Sequence, residues 1–335
     1  MQDLEKIMEY AKLSRASYKS EAAMRNFLND GSGLNRKYAV VKFRDHKASG
    51  FQCYVLKDTD GGDVFAFRGT EFIREPVKDT ILTDARMMLV GAPQQMYDAL
   101  EFVAEMRKRY GLAESDAVLT GHSLGGSLAA MASYVFGFEA YAYNPYGIGK
   151  LIRSAGCADA GREANKRRRG GTAQTIGERM KELGVTVKKS ENTIHSYVNL
   201  GMFAPDFVAG LLTSMTASSH VGNVRYLKDA PGNWLSIIDK HTLAKTLENL
   251  RHQRWADEAE AKSCLRRRCA EWLAREDAGL PFSAALRRLA AEKRRGRRPA
   301  RPAQSGRKHS RRKALTQQRI AYIFLKYLKF LKGGR

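Results

Sequence analysis

Apolar residues at the start of the chain, Leu4, Ile7, Met8, Ala11 and Leu13, recur at close to helical spacing and predict a helix with one face on a core. Two runs rich in β-branched and aromatic residues follow at 38–43 (YAVVKF) and 51–56 (FQCYVL) and predict strands. The segment 58–63 (DTDGGD) then reads as a hairpin turn, because its glycines supply the positive φ that a tight turn needs, and it leads into a strand at 64–67. Leu100, Phe102, Val103 and Met106 predict a helix over 96–110, closed by Gly111. Residues 117–120, 127–136 and 139–143 read as strand, small-residue helix and strand, the last ending at Asn144-Pro145; this order predicts parallel strands joined by a right-handed crossover. Further strands are expected at 193–200 and 221–227, and a helix begins just after His241.

Two stretches interrupt this rhythm. Residues 151–190 are polar and Gly-rich, contain the run KRRR at 166–169, and read as an insertion that is disordered or weakly helical. Residues 117–138 carry no acidic or basic side chain apart from His122, long enough for a membrane span, yet GHSLGGS breaks the run and both halves read better as buried pieces of a layered fold. The expected architecture is α/β with a mostly parallel central sheet in residues 1–250, interrupted at about 151–190, plus a basic, partly disordered and helical C-terminal extension over 251–335.

Charge separates the two parts. Of the 335 residues, 1–150 hold 19 Lys and Arg against 19 Asp and Glu, whereas 251–335 hold 25 against 7, within a total of +23. Such an excess implies an anionic partner: a membrane surface, a nucleic acid or an acidic protein. Near the end, 318–332 (QRIAYIFLKYLKFLK) place Arg319, Lys326, Lys329 and Lys332 on one arc of a helical wheel and apolar residues on the rest. This matches an interfacial helix with snorkelling lysines behind a polybasic linker, or else a helix docked on the Leu/Ala-rich segment 282–289. Sequence-specific nucleic-acid readout is not expected, since no zinc-finger, RRM or KH pattern occurs; non-specific phosphate attraction stays open. The four cysteines show no metal-ligand spacing, and neither a metal nor a cofactor site is read. The N-terminus lacks an apolar signal core, so synthesis in the cytosol is expected, with peripheral membrane association or signal-independent secretion open.

Gly121-His122-Ser123-Leu124-Gly125 fits G-x-S-x-G. A serine hydroxyl is a weak nucleophile unless a base reaches it and a sharp turn presents it. A strand end followed by a helix start does this, with flanking glycines allowing close passage. The Leu124 N–H, at the helix N-terminus, is then aimed at a developing oxyanion. The seven histidines supply the candidate bases: His122 beside the serine is expected to diverge from it, and His195 and His220, in or next to strand-like runs, read as satisfied core or edge residues.

Phe65–Glu71 (FAFRGTE) followed some 50 residues later by GHSLGG resembles the class 3 lipase family, including bacterial phospholipase A1-like enzymes of the α/β-hydrolase fold. The likeness runs from about residue 1 to 250, outside 151–190. It implies that Thr70, after Arg68-Gly69, gives the second oxyanion donor, although an ordinary turn threonine fits as well. It implies His241 as the base, and an acid shortly after the strand ending at Leu200. Met202 stands where that acid is expected; Asp206, followed by Phe207-Val208, is the candidate, unless it only caps a helix after Pro205. The implied activity is that of a serine esterase on lipid carboxyl esters, of phospholipase A type, with a Ser123-His241-Asp206 triad. The competing reading is an inactive hydrolase scaffold that binds membranes or nucleic acid through its basic tail.

Overall fold

A computed structural model describes residues 4–30, 33–35, 37–59, 61–69, 80–149, 152, 176–200, 220–228, 242–253, 255–257, 260 and 263. Among them, eight strands form one sheet in the order of the chain. β1 (Tyr38–His46), β2 (Phe51–Asp58) and β3 (Asp63–Phe67) are antiparallel. From β3 through β4 (Ala117–His122), β5 (Glu139–Tyr143), β6 (Ile194–Leu200) and β7 (Asn223–Lys228) every pairing is parallel, and the short β8 (Trp255–Ala256) closes the edge antiparallel. The sheet is therefore mixed and mostly parallel, as the strand–helix–strand rhythm predicts.

The turn between β2 and β3 is the expected hairpin: Asp58 N–H donates to Gly62 O at 2.9 Å, and Gly61 takes φ 95. β3 is buried on both faces, and the period of two splits it between two cores. Phe65 and Phe67 face one core with α3 (Thr80–Tyr110), α4 (Leu124–Phe136) and α5 (Ile176–Glu182). Val64 and Ala66 face the other, with α1 (Leu4–Ala16), α2 (Glu21–Asn29) and α6 (Leu243–Arg251). In the first core Phe102 sits edge-on to Phe65, with centroids 6.3 Å apart at 74°. Each such fully buried ring contributes on the order of 2–3 kcal/mol.

The structure extends the elements read from sequence. α3 begins at Thr80, not at 96, and runs through Gly91 and Pro93, which argue against a helix by propensity alone. α4 begins at Leu124, three residues earlier than its apolar pattern indicates, so Ser123 is its N-cap. α2 and β8 have no counterpart in the sequence reading; β8 takes the sheet past residue 250, with Trp255 packed 6.2 Å from Tyr197. In the segment read as an insertion, Ile176 and Met180 on α5 are buried in the first core. Residues 153–175 and 264–335, with the amphipathic arc at 318–332, lie outside the described residues.

Candidate active site

Parallel strands place all their carboxyl ends on one edge of the sheet, and polar residues gather at that edge next to β4. Ser123 leaves β4 at φ 58 and ψ −125, a conformation rarely adopted by a residue with a Cβ, and is almost fully buried. Its N–H donates to Tyr143 O at 2.9 Å on the neighbouring strand, and its carbonyl accepts the Ser127 N–H at 3.1 Å as the helix starts. The glycines around it have no room for a side chain. A Cβ on Gly121 would stand 2.3 Å from the backbone of Gly125, and one on Gly125 2.4 Å from Phe67 O. Hence strand, turn and helix touch through backbone alone, and the loop leaving β3 runs directly against the start of α4. Gly69 in that loop is as tight, since a Cβ there would meet His122 O at 2.4 Å.

The Leu124 N–H lies in the first turn of α4, among the helix donors that have no intrahelical acceptor, at the positive end of the helix dipole. Thr70 follows Gly69 directly in the chain and lies outside the described residues, as do Asp206 and His241. The structure thus brings Ser123 and Leu124 together.

Three further histidines have defined places. His122 is buried, and its Nδ1 is 3.1 Å from Tyr18 Oη. His195 lies near the amino end of β6, with Nε2 3.3 Å from Glu139 Oε1, at the opposite edge of the sheet from Ser123. His220, just before β7, donates from Nε2 to Pro145 O at 2.9 Å.

Several residues of this edge were not singled out from sequence. Tyr146 accepts a hydrogen bond from Ser123 Oγ at 3.2 Å, and burial raises the pKa of its phenol, while that hydrogen bond works the other way. Asn144, fully buried at φ 44, accepts the Asn199 N–H on Oδ1 at 2.8 Å and donates from Nδ2 to Thr246 Oγ1 at 2.9 Å. Asn199 Nδ2 donates to the same Thr246 Oγ1 at 2.9 Å, and Asn249 Nδ2 to Asn199 Oδ1 at 3.1 Å. This buried network ties α6 to the ends of β5 and β6. The N-cap of α6 is Thr242, one residue after His241, and it accepts the Lys245 N–H at 3.3 Å. The sequence signal was Asn144-Pro145-Tyr146 at a strand end next to the nucleophile's strand; nothing in its periodicity reveals the partners on α6.

Residues 9–194, more than half of the chain, match the family model for a phospholipase-like unit, the Tle-like phospholipase domain. Among solved structures, the chain is similar to the lipase of Rhizomucor miehei in its native propeptide complex, with 15% identity over 68% of this chain and 69% of that one and a TM-score of 0.37. It is also similar to lipase II from Rhizopus niveus, with 14% identity over 69% and 82% of the two chains and a TM-score of 0.37. A lipase from Rhizopus microsporus var. chinensis gives 13% identity over 77% and 85% and a TM-score of 0.34. No curated protein matches the chain at a significant level.

Proposed function

Because the chain belongs to the Tle-like phospholipase domain family, and so to the lipid ester hydrolases, we propose that it is a serine esterase of phospholipase A type, with Ser123 as nucleophile, His241 as base and Asp206 as the acid that orients it. The observation that carries this reading is Ser123 itself, a residue with a Cβ held at φ 58 between a strand and a helix by glycines that admit no side chain. Strain of this kind, on the order of 1–3 kcal/mol, persists where the surroundings enforce it and a function uses it.

Support for His241 comes from its neighbours. Thr246, five residues later, receives the Asn144 amide, and Asn144 follows Tyr143, whose carbonyl accepts the Ser123 N–H. His241 precedes the cap of that clamped helix by one residue in the chain, which supports it as the base. Asp206 follows the carboxyl end of β6 by six residues, and the chain order serine, acid, histidine is that of hydrolases of this fold. The tight passage of Gly69 against His122 O supports Thr70 as the second oxyanion donor, beside Leu124.

In this reading His241 takes the proton from Ser123 Oγ as the oxygen attacks the ester carbonyl, and the N–H groups of Leu124 and Thr70 hold the oxyanion. The alcohol leaves with the proton from His241, and water then hydrolyses the acyl-enzyme by the same route. The substrate is a glycerophospholipid, and the basic extension draws the enzyme to anionic membrane surfaces. Among the described residues no helix is long and apolar enough to cross a membrane.

Release of fatty acid from phosphatidylglycerol and from triglyceride dispersions tests the reading. Phosphatidylglycerol should be the better substrate, Ser123→Ala should release none, and His241→Ala should lose more than Asp206→Asn. Release retained in Ser123→Ala overturns the assignment. Deleting residues 264–335, which spares β8, should weaken sedimentation with phosphatidylglycerol vesicles and leave hydrolysis of a soluble short-chain ester intact; equal sedimentation of both proteins removes the role of the tail.

A further inference from the structure

The loop after β5 is fixed more firmly than a connection requires. Asn144 adopts a left-handed conformation at φ 44 and is held there by the Asn199 N–H and by its own bond to Thr246. The carbonyl of Pro145 accepts from His220 at 2.9 Å. The backbone of Tyr146 is gripped on both sides by Ser127, one turn into α4: its N–H donates to Ser127 Oγ at 2.8 Å, and Ser127 Oγ donates to its carbonyl at 3.0 Å. Three consecutive residues are thus anchored to β6, α6, the segment before β7 and α4, and the outcome is a phenol whose oxygen lies 3.2 Å from Ser123 Oγ. Strain enforced from several sides is what a functional position leads one to expect.

We propose that Tyr146 is a catalytic residue of the acyl-transfer step, its hydroxyl accepting the Ser123 Oγ–H in the resting enzyme and donating to Oγ as that proton leaves. The inference rests on Ser123 being the nucleophile. A phenol has one proton and lone pairs, so turning about its C–O bond converts it from acceptor to donor without moving the ring. Tyr146 keeps its proton throughout: the Ser123 proton goes to the base, the bond from Oγ to the acyl carbon forms, and the ester's alcohol leaves carrying the proton back from the base. Charge that gathers on Oγ before the new bond is complete meets a hydroxyl that needs only to turn about its C–O bond, with no solvent to reorganise. Burial favours the neutral phenol, the form the role needs, because a phenolate only accepts.

The experiment is the rate of covalent labelling by a fluorophosphonate on the full-length protein, comparing wild type, Ser123→Ala, Tyr146→Phe and Ser127→Ala. Tyr146→Phe should label the same serine with a rate constant lower by about tenfold to a hundredfold, the range for one hydrogen bond to a developing charge. On a soluble short-chain ester, kcat and kcat/KM should fall together with KM unchanged. Ser127→Ala, which keeps the phenol and loosens its backbone, should fall by less. A tyrosine that only supports the fold would lower the labelling end-point or the melting temperature, since the rate constant is read on the folded fraction alone. A wild-type rate constant in Tyr146→Phe, or in Ser127→Ala where Tyr146→Phe does not fold, overturns the role of Tyr146 and leaves the nucleophile standing. Labelling that persists in Ser123→Ala overturns the nucleophile itself.

Discussion

The two edges of the parallel sheet are built from different materials. At the amino edge, Glu139 gathers polar partners: His195 Nε2 at 3.3 Å, Lys6 Nζ at 2.9 Å and Tyr141 Oη at 2.9 Å. Its carboxyl is held down at about 2 from an ordinary 4.5, first by the bond from His195, then, against opposing desolvation, by Lys6 and Tyr141. The backbone there is regular strand. The carboxyl edge around β4 and β5 instead carries neutral hydroxyls and amides, Ser123, Ser127, Asn144, Tyr146, Asn199 and Thr246, and backbone strain at Ser123 and Asn144. A glutamate saturated with partners has no capacity left for chemistry. Dipoles fixed in a buried site keep theirs, because their orientation costs nothing further when charge develops.

The contrast breaks most sharply at Ser123. Ser123→Ala should lower kcat by as much as about 10⁶-fold, since without the nucleophile the remaining groups have nothing to act on. Ser123→Gly should be as inactive, yet about 1 kcal/mol more stable than the alanine variant, because glycine relieves the strain at φ 58; thermal unfolding of the pair reads this. Next comes Gly125→Ala, whose methyl group would face backbone at 2.4 Å with no flexible side chain to move. A loss on the order of 3 kcal/mol and of most activity is expected in denaturant titration and ester hydrolysis.

Thr246→Val removes the acceptor shared by Asn144 and Asn199 and should cost about 2 kcal/mol, while Thr246→Ser retains most of the stability. The smallest effect belongs to the other edge. The Glu139 carboxyl is depressed in the folded protein, so its stabilisation is present above about pH 4.5 and is lost as pH falls from there towards about 2. Glu139→Gln should flatten the loss of stability across that window by about 1 kcal/mol, a figure reduced for the partial exposure of the carboxyl, and should leave ester hydrolysis at neutral pH unchanged.

The same division governs what the sequence reveals. The turn at Ser123 was legible because its requirements are local: a serine between a strand and a helix, and glycines at spacings that let backbones touch. The parallel strands were legible for a related reason, since full burial writes itself as short apolar runs at 117–120 and 139–143. α3 reaches past its apolar pattern at 96–110 through Gly91 and Pro93, which resist a helix by propensity. Tyr146 carries no local signal of its importance, which lies in contacts to Ser123 and Ser127 and in a loop held by residues far along the chain. Asn144 and Asn199 meet Thr246 across about 100 and 50 positions, and no pattern along the sequence encodes such a meeting.

A working nucleophile at Ser123 on the carboxyl edge is checked most directly by exposing the native protein to a fluorophosphonate and weighing the product, intact and after tryptic digestion. One adduct per chain is expected, on the peptide that carries Ser123. An adduct on any other residue, or none on protein shown to be folded, contradicts it.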